Sequence, residues 1–160
     1  MSKVSLKIDK TIEKLLGKGM KDARAYVGWF EDTKYDDGTL VGDVAYWQEY
    51  GTSRGIPPRP FMRPAELHNK KEWEQLMLQE VRKCFEQGKP LSYAIERLGL
   101  LAQGNIQDEI RSVYDPPLKE STIKARLRRH GKKKITASIT KPLIDTGVML
   151  ASVQHKVEEV

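Results

Sequence analysis

The chain has 160 residues, of which 39% are hydrophobic and 31% charged, and its 28 basic and 22 acidic side chains give a formal net charge of +6. This composition excludes a disordered polyelectrolyte, which is less apolar, and a membrane protein, which is less charged. A chain of this length buries about 70% of its unfolded surface on folding. We therefore expect one domain over residues 1–160. Because Cys84 has no second cysteine to pair with, we expect a reducing compartment, or one where no disulfide is needed.

The positive charge is concentrated in one segment. Residues 1–80 contain 13 basic and 13 acidic side chains, whereas residues 119–141 contain nine basic residues and one acid, Glu120. Such a segment either contacts phosphate or an acidic protein surface, or forms a solvated helix and loop, and we favour the second interpretation. No apolar run approaches the roughly 20 residues that span a bilayer, and no signal peptide is evident, so we expect synthesis in the cytosol.

Alternation of apolar and polar residues predicts two strands near the amino terminus, at residues 4–8 and 24–30. An acidic loop follows at residues 31–43, and its Asp37-Gly38 dipeptide is typical of a tight hairpin turn or an exposed loop. The acids of this loop do not have the spacing of a calcium-binding loop, so we predict no metal there.

A short helix and a proline-rich segment come next. Asp43 is predicted to cap the helix VAYWQEY, which ends at Gly51. Four prolines follow within eight residues: Pro57, Pro58, Pro60 and Pro64. Because proline fixes its own φ and extends the preceding residue, we expect residues 56–64 to form a stiff extended segment, here called the proline strap.

The second half of the chain is predicted to begin with two long helices. Apolar residues recur with helical spacing over residues 73–85 and again over residues 91–113, and Gly88 and Pro90 separate the two patterns. The short connection favours antiparallel neighbours with Cys84 in their core.

After the two helices, the sequence predicts shorter elements. Residues 122–129 are expected to form a basic helix and residues 130–140 a basic loop. Asp145, Thr146 and Gly147 indicate a turn or helix start, and Val153 and Val157 indicate a terminal strand.

The residue patterns do not favour catalysis. The three histidines lie in unrelated contexts without metal-ligand spacing, no serine lies in a GxSxG motif, and no glycine-rich nucleotide loop is present. We predict no catalytic residue, cofactor or metal. A stand-alone DNA-binding protein is the other alternative, because residues 124–134 are basic, but residues 118–160 contain no aromatic side chain on which bases stack.

Three segments share a pattern with one protein family. VAYWQEYGTSRGIPPRPFMRPA carries it through Glu49, Tyr50, Gly51, Thr52, Arg59, Pro60, Phe61, Arg63, Pro64 and Ala65. PPLKESTIKARLRRHG carries it through Pro116, Pro117, Leu118, Thr122 and Gly131. KPLIDTGVMLASV carries it through Pro142, Leu143, Asp145, Thr146, Gly147 and Ser152. In this order the segments resemble the tail-completion and virion-morphogenesis proteins of long-tailed bacteriophages.

The resemblance implies an α+β fold, in which an antiparallel sheet of about three to five strands packs against two long antiparallel helices. It also implies a structural protein of the virion neck, which forms a ring that completes the head-proximal end of the tail and joins it to the head. During assembly the protein would be in the host cytoplasm. The alternatives are a tail terminator or a head-closure connector. The implied partners are other neck and tail proteins, with no membrane.

A ring requires two different contact patches on each subunit. The strap loses little entropy on docking, so we expect subunit or partner contacts at Tyr50, Arg54, Ile56, Pro57, Arg59, Phe61, Met62 and Arg63. For Phe61, we favour the alternative that its ring fixes the strap to its own core. Contacts with channel DNA or with an acidic partner ring are expected at Arg126, Arg128, Arg129, Lys132, Lys133 and Lys134. The loops at 31–43 and 130–140 are expected to be mobile in the monomer and to settle on assembly.

Overall fold

The structure is a computed structural model that describes residues 23–30, 33–130 and 139–159. Its elements are β1 (Ala23–Gly28), α1 (Val41–Tyr50), α2 (Met62–Gln87), α3 (Leu91–Ser112), α4 (Glu120–His130), α5 (Val148–Ala151) and β2 (Gln154–Glu159). The α+β class is confirmed, with helix predominating and β1 and β2 forming a two-stranded antiparallel sheet. The strand predicted at residues 4–8 lies outside the described residues. None of the described helices is long and apolar enough to cross a membrane.

The chain divides into two compact units. The first, here called the helical unit, comprises Met1–Gly28, Glu66–Asn105 and Gln154–Val160, and the second, here called the strap unit, comprises Trp29–Ala65 and Ile106–Val153. The helical unit thus contains the sheet and most of α2 and α3. The prediction of one domain over residues 1–160 stays a prediction.

The core of the helical unit lies between α2 and α3. Near the middle of α2, Trp73 packs with Leu98 and Ala102, and near its end Cys84 packs with Leu91 and Ala94. Residues late in α2 thus meet residues early in α3, as expected for antiparallel neighbours. The Trp73 indole Nε1 also donates a 2.7 Å hydrogen bond to Asn105 Oδ1, so this polar group is satisfied inside the core.

The end of α2 is set by Gly88, as predicted. Gly88 has a φ of +64°, a conformation that glycine adopts without a Cβ penalty. Cys84 is fully buried, which confirms its prediction as a core residue.

The two strands contact the helices through His155. In the antiparallel register Val27 of β1 lies opposite His155 of β2. The His155 ring lies so close to Gly99 of α3 that a Cβ at that glycine would be 2.9 Å from the ring. His155 Nε2 lies 2.9 Å from a Glu96 carboxylate oxygen, and Nδ1 lies 2.6 Å from Gln103 Oε1. Gly99 therefore permits the close approach of β2 to α3.

In the first part of the strap unit, a tight turn is followed by helix α1. The Asp37-Gly38 turn is confirmed, since Lys34 pairs with Leu40 in an antiparallel bridge and Gly38 has a φ of +83°. The predicted cap at Asp43 is wrong, because α1 begins three residues earlier than predicted, at Val41, and Leu40 occupies the N-cap position without a side-chain hydrogen bond. Asp43 lies instead in the first helical turn, where its negative charge interacts favourably with the positive end of the helix dipole.

Replacing Trp73 should test the core of the helical unit. Trp73→Ala is expected to lower the free energy of unfolding by about 3–5 kcal/mol, because it removes a large buried ring and leaves a cavity. Urea unfolding measures the change. The control is Leu78→Ala on the same helix, where the side chain is 68% exposed and a change within about 0.5 kcal/mol is expected. Equal losses in the two variants would contradict this core.

Candidate functional site

Gly51 turns the chain back from the end of α1 toward the strap. Its φ is +74°, and its N–H donates a 2.9 Å hydrogen bond to the Trp47 carbonyl. A Cβ at this position would lie 2.9 Å from both the Ile56 carbonyl oxygen and the Pro58 nitrogen. The end of α1 at Gly51 is confirmed and its φ is positive, but its ψ of 179° is not that of the left-handed helical conformation predicted from the sequence. The close approach of the strap gives a second reason for glycine here.

Glu49 is the buried carboxylate of the strap unit, with only 3% of the residue exposed. Its Oε2 accepts hydrogen bonds from the backbone N–H groups of Phe61 at 2.7 Å and Met62 at 2.9 Å. Its Oε1 accepts from the Arg63 backbone N–H at 3.3 Å and from Arg63 Nε at 2.9 Å. These amides lie at the start of α2, where a helix leaves N–H groups without partners in its own backbone. Glu49 therefore caps α2 from a different helix.

The environment of Glu49 favours its charged form. Burial alone would raise the pKa of this carboxyl, but the amide donors and the Arg63 guanidinium together hold the pKa below its ordinary value. The capping carboxylate is therefore charged at neutral pH, next to the positive end of the α2 dipole.

Arg59 joins the strap to the segment at Pro116 and Pro117. Its backbone N–H donates to the Gln48 carbonyl at 2.6 Å, and only 4% of the residue is exposed. Nε donates to the Pro116 carbonyl at 2.7 Å, and Nη2 donates to the Pro117 carbonyl at 3.1 Å. Burial and the nearby charge of Arg126 lower the pKa of Arg59, although a guanidinium remains charged at neutral pH.

Arg126 of α4 holds the irregular segment that precedes α5. Its two terminal nitrogens donate to four carbonyl oxygens within 3.3 Å, those of Ile139, Lys141, Pro142 and Ile144. Asp145 lies 3.6 Å from its Nε and also accepts a 2.7 Å hydrogen bond from Arg129. Arg126 was expected to face DNA or a partner, and this is corrected: the residue is 7% exposed and its guanidinium binds backbone of its own unit.

The aromatic contacts of the strap lie inside the strap unit. Phe61 is fully buried, and its ring meets the Trp29 ring edge to face, with centroids 5.7 Å apart. Trp29 Nε1 in turn donates a 2.8 Å hydrogen bond to the Met149 carbonyl. Phe61 thus fixes the strap to its own core, which is the alternative favoured from the sequence.

The remaining residues of the predicted interface differ in exposure. Arg59 is buried with Phe61, so neither side chain offers a surface for docking. Ile56, Pro57 and Met62 are partly buried, whereas Tyr50, Arg54 and Arg63 are exposed. Docking through these six residues stays a prediction.

An open cleft of about 380 Å³ lies beside these contacts in the strap unit. Tyr35, Trp47, Arg129, Asp145 and Thr146 are among its lining residues. Burial and the neighbouring carboxylates of Asp145 and Asp37 raise the pKa of Tyr35. The cleft combines an aromatic wall with an arginine–aspartate pair, and it therefore suits the binding of a polar side chain.

The two charged loops are only partly described. Arg128 and Arg129 are exposed on α4, as expected for contacts with an acidic or phosphate surface. Lys132, Lys133 and Lys134 lie outside the described residues, as do the first two acids of the loop at 31–43. No cluster of potential metal ligands occurs in the described ranges.

Sequence reasoning missed the functions of Glu49 and Arg126. Glu49 was recognised only as part of a family pattern, and its twelve-residue separation from Phe61 gives no local capping signal. A signal for Arg126 did exist, because it lies on the same side of α4 as the apolar residues Ile123 and Leu127. A charged residue on the apolar side of an amphipathic helix indicates a buried, hydrogen-bonded group.

No protein-family model, curated protein or solved structure matches this chain.

The cap provided by Glu49 gives a pH-dependent prediction. At neutral pH, Glu49→Gln should lower the free energy of unfolding by about 1.5–3 kcal/mol, because a charged acceptor of buried amides becomes a neutral amide. The folded pKa of Glu49 lies below its unfolded value, so its stabilisation is present above the ordinary value of 4.5 and is lost as the pH falls through the folded pKa.

Urea unfolding of both chains, from neutral pH to about pH 3, measures this difference. The stabilities of the wild type and Glu49→Gln should converge as the solution becomes acidic. Glu72→Gln, at an exposed position of α2, is the control and should follow the wild type. A stability difference that stays constant across the pH range would contradict the charged cap.

Proposed function

We propose that this protein is a structural, non-enzymatic component of the neck of a long-tailed bacteriophage, where it completes the tail and joins it to the head as an oligomeric ring. The observation that carries the proposal is the linkage of the three segments that resemble the tail-completion family. Arg59 in the first segment binds the carbonyls of Pro116 and Pro117 in the second. Arg126 in the second binds carbonyls of the third and lies 3.6 Å from Asp145.

These links favour a structural function over catalysis. The motif residues Glu49 and Arg59 are buried, and their polar atoms bind backbone groups of the same unit. Such groups hold a surface in one conformation, and a preorganised surface loses less entropy when it associates. Tyr50, Arg54 and Arg63 remain exposed next to this rigid frame and are available for contacts with neighbouring subunits.

The proposal includes finer details of the fold and of the partners. We propose a sheet of about three to five strands packed against the two long helices. Arg128, Arg129 and the lysines at 132–134 are proposed to face channel DNA or an acidic ring of another neck or tail protein. A tail terminator or a head-closure connector is the alternative position for the same ring.

The function is tested by producing phage particles without this protein. Electron microscopy is expected to show finished heads and separate tails, because the joining component is absent. Supplying the protein in trans should restore joined particles. Normal virions in its absence would refute the neck function.

A charge-reversed chain tests the basic segment in the same particles. Replacing Lys132, Lys133 and Lys134 by Glu should reduce joining at least tenfold, because the variant repels phosphate or an acidic partner. The control reverses the exposed pair Lys70 and Lys71 of α2 to Glu, which should restore joining like the wild type. If the triple variant restores joining fully, these lysines have no function in joining the tail to the head.

A further inference from the structure

The outward face of α1 carries a row of aromatic side chains. Asp43, Tyr46, Trp47 and Tyr50 occur at positions i, i+3, i+4 and i+7, which places them on one side of the helix. The exposed fractions of the three aromatic residues are 57%, 40% and 48%. The opposite side contains the buried residues Val41, Ala45 and Glu49. We call this outward row the aromatic face of α1.

The aromatic face is ordered before any partner arrives. The rings of Tyr46 and Tyr50 are in contact, with centroids 4.8 Å apart, and the Arg63 guanidinium carbon lies 5.0 Å from the centre of the Tyr50 ring. Glu49, one residue earlier, accepts a hydrogen bond from Arg63 Nε and so fixes this arginine in position. Large aromatic side chains with few rotamers are typical of the residues that contribute most energy at protein interfaces.

Acidic side chains surround the aromatic face. Asp43 is exposed within it, and Asp36 and Asp37 are exposed in the turn before α1. Asp37 and Trp47 line the same cleft, which places this turn beside the helix. The cations beside this face, Arg63 and Arg129, are paired with Glu49 and Asp145. The surface is therefore aromatic and carries a net negative charge, a combination that attracts ammonium and guanidinium groups and repels phosphate.

A surface with the complementary chemistry is present on α4. Lys124 and Arg128 are four residues apart on its exposed side. Lys124 Nζ lies 3.4 Å from Glu120 Oε2 in a solvent-exposed pair, and Arg129 beside them, whose side chain is 61% exposed, is paired with Asp145. The opposite side of α4 contains the buried Arg126. We call Lys124 and Arg128 the basic face of α4. Each copy of the chain thus carries one aromatic, acidic face and one basic face.

We propose that the aromatic face of α1 in one copy binds the basic face of α4 in a second copy. This inference rests on the proposed ring and names the surfaces that form its subunit contacts. Arg128 would lie over the Tyr46 and Trp47 rings, and Lys124 would approach the carboxylates. Because the two faces differ, every copy can bind two neighbours, as a closed ring requires.

Reversing the charge of each face separately tests the inference. One variant carries Asp36→Lys and Asp43→Lys, and the other carries Lys124→Glu and Arg128→Glu. Sedimentation velocity of the full chain over a range of concentrations should show at least about a 30-fold loss of self-association for either variant alone, a loss typical of interface residues that dominate binding. Mixing the two variants should restore association, because each reversed face then meets a face of opposite charge.

Two control variants separate the interface from general charge effects and from misfolding. Glu72→Lys with Glu74→Lys reverses two exposed charges of α2 and should leave self-association unchanged. Tyr46→Ala removes an exposed ring without changing charge and should weaken association on its own. Circular dichroism should show native helix content for every variant, and restored association in the mixture independently requires both chains to be folded.

Three results would overturn the inference: a wild-type chain that stays monomeric at all concentrations, charge-reversed variants that associate normally, or a mixture without rescue. The particle experiment tests the neck function separately. If particles need the protein for joining but the mixed variants fail to associate, the neck function stands and this interface is excluded. If the mixed variants associate but virions are normal without the protein, the interface stands and the neck function is excluded.

Discussion

Buried charged side chains that satisfy backbone groups are the interaction on which the strap unit depends. Residues 56–61 of the proline strap and the segment at residues 139–145 lie outside the helices and strands, so their amide and carbonyl groups need other partners; the last three residues of the strap form the first turn of α2 instead of the extended segment predicted. Glu49 accepts hydrogen bonds from the amides where α2 begins, and Arg59 and Arg126 donate to carbonyls of the irregular segments. These three side chains therefore order segments whose backbone groups have no hydrogen-bond partners within a helix or sheet.

This arrangement explains why the strap unit can present a fixed surface. A buried charge without partners is strongly unfavourable, so any movement that separates Arg126 from its carbonyls is opposed. The rings of Phe61 and Trp29 add an apolar contact to the same frame. The exposed aromatic side chains of α1 are attached to this frame through Glu49, on the opposite side of the same helix. Rigidity in the interior and aromatic, charged side chains outside are the properties that the proposed function in assembly requires.

The sequence predicted what depends on local pattern. The long helices, the turn at Asp37-Gly38 and the end of α1 at Gly51 follow from periodicity or from glycine conformation, and the structure agrees with each. The cap at Asp43 was wrong because Leu40 begins the helix without a polar cap, which no local rule favours. The carbonyl partners of Arg126 could not be identified because they lie 13–18 residues away in an irregular segment, although its place beside Ile123 and Leu127 on α4 indicates burial. Partners in irregular structure produce no periodic signal.

Amide hydrogen exchange of Arg126→Met tests the central claim most directly. The variant keeps an apolar side chain in the buried site but leaves the carbonyls of residues 139–144 without their donor. We predict that the amides of Ala151 at the end of α5 and of Ser152 directly after it, which donate 2.9 Å hydrogen bonds to the carbonyls of residues 147 and 148, exchange at least about tenfold faster than in the wild type. Amides of α2 around Trp73 should keep their protection. Unchanged exchange in α5 would contradict an account in which this buried arginine holds the strap unit together.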